Sequence, residues 1–299
     1  MEFLKGKRLV VFGCGYVGGA LARAAAAAGA TVEALTRNPA TAAALEADGV
    51  GRVLVADLAT DAWHGRVAPG PEFLVNCVSS GGGGIEGYRH SYLEGQRSIL
   101  AWAERGGVPV GTFVYTSSTS VYAQDHGARV DEASPAEGGT PNGRVIRESE
   151  LLLQAAAAAC RRWFILRLAG IYGPGRHHLL DQLRSGAGEL GGDGAHRLNL
   201  AHRDDIVAAI VRCLGAPGAV GNEVFNVADS GPATREEVVR WLAGRLGRPV
   251  PGFSGAATAR RGGLPVPDRV IRNEKLQRTL GWRPAYPDFR SGFAAILGG

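Results

Sequence analysis

The sequence predicts an α/β fold: a parallel sheet doubly wound by helices, followed by a smaller C-terminal cap. Three observations predict it. Short, near-continuous apolar runs alternate with helical stretches through residue 168, as strands covered on both faces require. The first run, Leu9 to Phe12, feeds into Gly13-x-Gly15-x-x-Gly18 and then an alanine-rich helix. Beyond the sixth apolar run the alternation loosens into scattered helices.

Taken in order, strand one covers about 8–13, and its helix runs over 17–28 and stops at Gly29. Strand two spans 31–36, a helix 39–48, strand three 52–56 and strand four 73–77. A long helix over 87–105 leads to strand five at 112–116. A helix over 147–160 precedes strand six at 163–167. In the cap, helices are expected near 178–185, 203–214, 234–246 and 273–280, with a short strand at 223–227. The expected domains are 1–168 and a partly interleaved 169–299. Right-handed crossovers put the ligand crevice at the carboxyl ends of the strands, where the cap closes over it. The glycine-rich loops 81–84 and 186–194 are candidates for mobile segments near a site, or ordinary surface loops.

Composition narrows the function classes. Hydrophobic residues make up 45% of 299, ample for a core, and the net charge of +5 comes from scattered arginines. Nucleic-acid binding calls for a clustered basic patch, so no such partner is expected. Cys14, Cys77, Cys160 and Cys213 are far apart without a CxxC, which indicates neither a disulfide framework nor a zinc site. The His177-His178 pair lacks a ligand-spaced partner, so no metal is expected. No apolar run approaches the ~18 residues of a membrane span. The expectation is a cytoplasmic protein with no membrane partner.

Strand, glycine turn and helix together form a dinucleotide-binding signal, so the sheet is expected to be Rossmann-like. Gly13 permits the tight turn, Gly15 lets a pyrophosphate approach, and Gly18 lets the helix pack on the strand. The helix start at Tyr16 and Val17 offers its amides to the phosphates. An NAD site usually has an acid at the end of strand two; here the chain reads Leu35-Thr36-Arg37, and Glu33 falls in mid-strand. Arg37 can pair with a 2′-phosphate through its planar fork, so NADP(H) is expected over NAD(H). Asp57 and Leu58 after strand three are placed to meet the adenine, although Asp57 also suits a helix cap. Cys77, Val78, Ser117 and Leu168, at the ends of later strands, complete the expected cofactor lining.

The chain resembles the extended short-chain dehydrogenase/reductase superfamily, in its NAD(P)-dependent epimerase/dehydratase branch. The resemblance rests on the glycine turn, on 114–122 (Val-Tyr-Thr-Ser-Ser-Thr-Ser-Val-Tyr), on 166–176 (Leu-Arg-Leu-Ala-Gly-Ile-Tyr-Gly-Pro-Gly-Arg) and on 201–206 (Ala-His-Arg-Asp-Asp-Ile). Phe225-Asn226-Val227-Ala228-Asp229 and Leu280-Gly281-Trp282 fit as well.

That resemblance implies a proton-shuttling tyrosine, a lysine four residues later that lowers its pKa, a serine on the substrate oxygen and an asparagine on the long helix. Ser118 matches the serine. The rest departs. Anchoring the family's helix on Glu150 puts Asn142 at the tyrosine and Ile146 at the lysine. The only lysines are Lys5, Lys7 and Lys275, so no Tyr-x-x-x-Lys exists. Tyr92 stands at the asparagine position and is the candidate acid/base beside Ser118, with Arg147 or His90 as helper. The two diphosphate anchors of nucleotide-sugar enzymes fall on Gly170 and Leu198, with Arg197 one residue out of register. A nucleotide sugar is therefore disfavoured. Ser79, Thr119, Asn142, Gly170, Arg176 and His177 are the candidate substrate contacts, and His202 is expected to be structural.

Two functions follow. One is an NADP(H)-dependent oxidoreductase or epimerase acting on a small polar carbonyl or alcohol. The other is a non-catalytic NADP(H) sensor. The resemblance also implies a homodimer through the helices near 87–105 and 147–160.

Overall fold

The computed structural model describes residues 1–256 and 266–298. Its centre is a seven-stranded parallel sheet. Five strands come from the first part of the chain: β1 (Arg8–Phe12), β2 (Thr31–Thr36), β3 (Arg52–Val55), β4 (Phe73–Asn76) and β5 (Val110–Ser118). Cys160–Leu168 and Glu223–Val227 complete it, in the order 223–227, 160–168, β5, β4, β1, β2, β3. The winding direction reverses between β1 and β4, which opens a crevice at their carboxyl ends.

The apolar runs follow from burial on both faces. Leu9 and Val11 of β1 pack with Leu21 and Ala25 of α1 (Tyr16–Ala27). Val10 and Phe12 point the other way, onto Trp63 and Trp102; the Phe12 and Trp63 ring centroids lie 4.8 Å apart. The next helix, α2 (Pro39–Ala47), starts where Asn38 accepts the Ala40 and Thr41 amides.

Three expectations need correction. The long helix over 87–105 is a rod of α3 (Gly84–Tyr88), a π-helical segment (Arg89–Glu94) and α4 (Gly95–Arg105). The helix placed at 147–160 is α5 (Pro141–Ala155), and the alanines after Ala155 turn back into the next strand. Thr140 caps it by accepting the Gly143 amide, with Pro141 in its first turn. The alanine run suggested a helix that the strand start at Cys160 overrides. Lastly, Glu223–Val227 pairs along Phe164–Leu168 in the main sheet. The sheet therefore takes one strand from beyond residue 168.

The second half of the chain supplies α6 (His178–Arg184), α7 (Arg203–Leu214), α8 (Arg235–Leu246), α9 (Glu274–Leu280) and α10 (Phe289–Leu297). Leu180, Leu183, Val238, Leu242, Phe289 and Phe293 form a separate apolar core there. Two small parallel pairs add to it: Gly170–Tyr172 with Leu200–His202 within this half, and Ala128–Val130 with Arg269–Ile271, which ties it to the first part of the chain. Among the described residues, no helix is long and apolar enough to cross a membrane.

Candidate active site

The site begins at the glycine turn. Gly13 has φ +81°, and a Cβ there would lie 2.5 Å from the Val78 nitrogen. A Cβ on Gly18 would lie 2.4 Å from the Gly13 carbonyl oxygen, so the helix sits directly on the turn. A Cβ on Gly15 meets nothing within 4 Å. Its backbone faces open crevice, which is the cradle a pyrophosphate requires.

Two adjoining cavities share Gly15, Cys77, Val78 and Ser79. The first, about 580 Å³, lies over β1–β3 and is lined by Gly13, Thr36, Arg37, Asp57 and Leu58. The second, about 450 Å³, lies over β4, β5 and the 160–168 strand. Tyr16, Val17, Tyr92, Ser117, Ser118, Leu168, Gly170 and Arg176 line it.

In the first cavity Arg37 reaches across the crevice: its Nη2 lies 2.4 Å from where a Gly81 Cβ would stand. Glu33 points elsewhere, with Arg8 Nε at 2.6 Å and Arg52 Nη1 at 3.7 Å. Asp57 accepts the Ala59 amide and pairs with His90 Nε2 at 2.7 Å. Burial raises the Asp57 pKa, but the His90 and Ala59 hydrogen bonds and the charges of His90 and Arg37 outweigh it, leaving it below its ordinary value. His90 is thus committed to Asp57 and is no helper for Tyr92.

In the second cavity Ser118 Oγ accepts the Ser120 amide at 3.1 Å. Tyr92 lines the same cavity; its ring stacks on Tyr88 with centroids 5.3 Å apart. The π-helical segment carries His90, Ser91 and Tyr92 together: Ser91 lines the first cavity and Tyr92 the second. Such segments inside α-helices frequently mark functional sites. Nothing in the sequence signalled it.

Beneath this cavity lies a buried charge cluster. Ser117 Oγ donates to Glu150 Oε1 at 2.5 Å, and Arg167 forks onto the same carboxylate. Arg147 Nη1 donates to Glu150 Oε2 at 2.9 Å, so it serves Glu150 and not Tyr92. Arg167 also donates to Tyr122 Oη, which donates to Asn226 Oδ1. Burial works against the Arg167 charge, but Glu150 and Tyr122 more than offset it and raise its pKa. Glu150 and Arg167 were readable as matched motif positions, but their pairing was not.

Three expected substrate contacts stand elsewhere. Thr119 is buried and its carbonyl accepts from Arg269. Asn142 lies in the first turn of α5, outside both linings. His177 Nδ1 pairs with Asp181 at 2.8 Å, outside both linings. Ser79, Gly170 and Arg176 do line the second cavity. Arg197 is paired with Asp268 at 2.5 Å. His202 caps α7, its Nδ1 accepting the Asp204 amide. Among the described residues, no group of three or more His, Cys, Asp or Glu is arranged to hold a metal ion.

The model of the "NAD dependent epimerase/dehydratase family" matches residues 9–228. The chain belongs to this family. Among curated relatives it is similar to Protein YeeZ of Escherichia coli K12, 32% identical over 197 residues. That match spans 66% of this chain and 66% of YeeZ, a little under two thirds of the relative's length. It is also similar to a 3-diazoavenalumate denitrifying reductase of Streptomyces sp, 31% identical over 172 residues, 53% of this chain and 54% of the reductase. Among solved structures, DesIV of Streptomyces venezuelae, a dTDP-glucose 4,6-dehydratase with NAD bound, superposes with TM-score 0.81 at 24% identity. It covers 97% of this chain and 96% of its own, and shares the family's fold. The fold and the NAD(P) crevice are therefore those of the family, and the chain contains no Tyr-x-x-x-Lys.

Proposed function

We propose that the protein is an NADP(H)-dependent oxidoreductase acting on a small polar carbonyl or alcohol. The observation that carries this reading is the lining of the second cavity, where Ser118 and Tyr92 stand together beside Gly15. The adenosine half goes to the first cavity, the pyrophosphate to Gly15, and the nicotinamide to the second. Arg37, with Glu33 drawn away onto Arg8, supports NADP(H) over NAD(H). When bound, the cofactor supplies or accepts a hydride.

Ser118 keeps its hydroxyl proton for the substrate oxygen, since its Oγ acts as acceptor toward Ser120. Tyr92 offers a phenol at the same cavity and takes the acid/base role. In the reducing direction, with the hydride that a bound cofactor would supply, Tyr92 would give its phenolic proton to the substrate oxygen, so that the ketone becomes an alcohol, and would recover a proton from solvent.

The missing lysine favours a second reading, a dinucleotide sensor without turnover. Following NADPH absorbance against a panel of ketones and aldehydes separates the two. Oxidation that depends on Ser118 and Tyr92 supports the enzyme. Tight NADPH binding without oxidation of any compound supports the sensor.

A further inference from the structure

We infer that the substrate carries a carboxylate, received by Arg176 in the lining that also holds Ser118, with the guanidinium set over the Tyr16 ring. This rests on the oxidoreductase reading and names its substrate class: a small oxo acid or hydroxy acid.

Arg176 is the one charged side chain lining that cavity among the described residues. The remaining lining is apolar, glycine, or neutral hydroxyl. Among the described residues its guanidinium has no acidic partner; its contact is a cation–π one, 5.6 Å from the Tyr16 ring centroid. The neighbouring Arg203 uses the same ring at 5.3 Å, but its charge is matched by Asp204 at 2.8 Å. Arg176 is thus the unmatched cation of the pair.

Its backbone is held by the turn, exchanging two hydrogen bonds with Gly173, at 3.1 and 3.0 Å. Tyr16 Oη donates to the Pro174 carbonyl at 2.9 Å, pinning the ring under the guanidinium. The ring so fixed gives the guanidinium an aromatic face to lie on. A guanidinium presents a planar fork that matches a carboxylate in two parallel hydrogen bonds. A neutral ketone leaves that fork unused. The two usual diphosphate anchors are occupied by Gly170 and Leu198, and Arg197 is spent on Asp268, so Arg176 has no second lining cation to share a diphosphate with.

The test uses the full chain saturated with NADP⁺. Titration calorimetry measures binding of 2-oxo, 3-oxo and 4-oxo acids, each against its own neutral amide. We expect at least one acid to bind about 10- to 100-fold more tightly than its amide, the range of one charge-assisted contact. Arg176→Met should bring acid and amide within about 3-fold of each other, and Arg176→Lys should restore part of the preference. Tyr16→Leu, which keeps the charge but removes its support, should weaken the acid more than the amide. If no acid outbinds its amide, or if the preference survives in Arg176→Met, the inference falls. NADPH fluorescence on the same protein keeps the two readings apart. NADPH binding without acid preference defeats this inference alone, whereas failure to bind NADPH defeats the oxidoreductase reading as well.

Discussion

Arg167 holds Glu150 in a fork, Nε to Oε1 at 3.0 Å and Nη2 to Oε2 at 2.8 Å, at a place where the Glu150 side chain is 0% exposed. Ser117 and Arg147 complete the carboxylate's partners. Removing one member of a buried pair leaves the other charge unmatched. Glu150→Gln should therefore cost about 3–5 kcal/mol of stability. Urea denaturation checks it; a midpoint unchanged from wild type would contradict the role given to this cluster.

Gly18→Ala should damage both folding and cofactor binding. The added carbon would stand 2.4 Å from the Gly13 carbonyl oxygen, a backbone atom that cannot swing away. We expect a loss of about 1–3 kcal/mol and weakened NADPH binding. Gly15→Ala makes the contrast. No neighbour lies within 4 Å of the new carbon, so the fold should be kept while the pyrophosphate cradle is obstructed. Equal stability losses in the two variants would argue against the separate roles.

Arg37→Ser tests cofactor choice. Losing a charge-assisted contact to the 2′-phosphate should weaken NADPH by about 10- to 100-fold. NADH, which has no such group, should shift by less than about 3-fold. Fluorescence titration of both cofactors reads the difference, and an equal loss for both would remove the NADP(H) assignment.

Tyr92→Phe keeps the ring that stacks on Tyr88 and deletes only the hydroxyl. If this phenol moves the proton, turnover should fall by about 100-fold or more while KM changes little. Unimpaired turnover would reassign Tyr92 to packing.

Asp229 links stability to pH. Burial, with added repulsion from Asp288 and Asp205 against a Leu200 hydrogen bond, pushes its carboxyl up to about 8. Below the ordinary carboxylate range both folded and unfolded states hold this proton, and no penalty arises. Between that range and about pH 8 only the folded state holds it, so this group lowers stability as pH rises. Asp229→Asn should therefore raise the thermal midpoint more at pH 8 than at pH 4. A midpoint difference independent of pH would rule out the protonated carboxyl.

The sequence by itself determined the alternating fold, because strands covered on both faces must be apolar throughout and the helices between them must not be. It also determined the dinucleotide turn, since Gly13 and Gly18 sit where backbone geometry admits no side chain. The absence of Tyr-x-x-x-Lys needed no coordinates. Tertiary structure decided what depends on partners distant in the chain. It placed Glu223–Val227 in the main sheet, because an edge strand's own residues do not encode its neighbour. It set the π-helical register of Arg89–Glu94, which turns Ser91 and Tyr92 toward different halves of the crevice. It drew His90 to Asp57 and Arg197 to Asp268, and left Arg176 in the cavity with no acidic partner among the described residues. Local spacing governs turns and helix faces; which charge meets which is settled only once the chain has closed on itself.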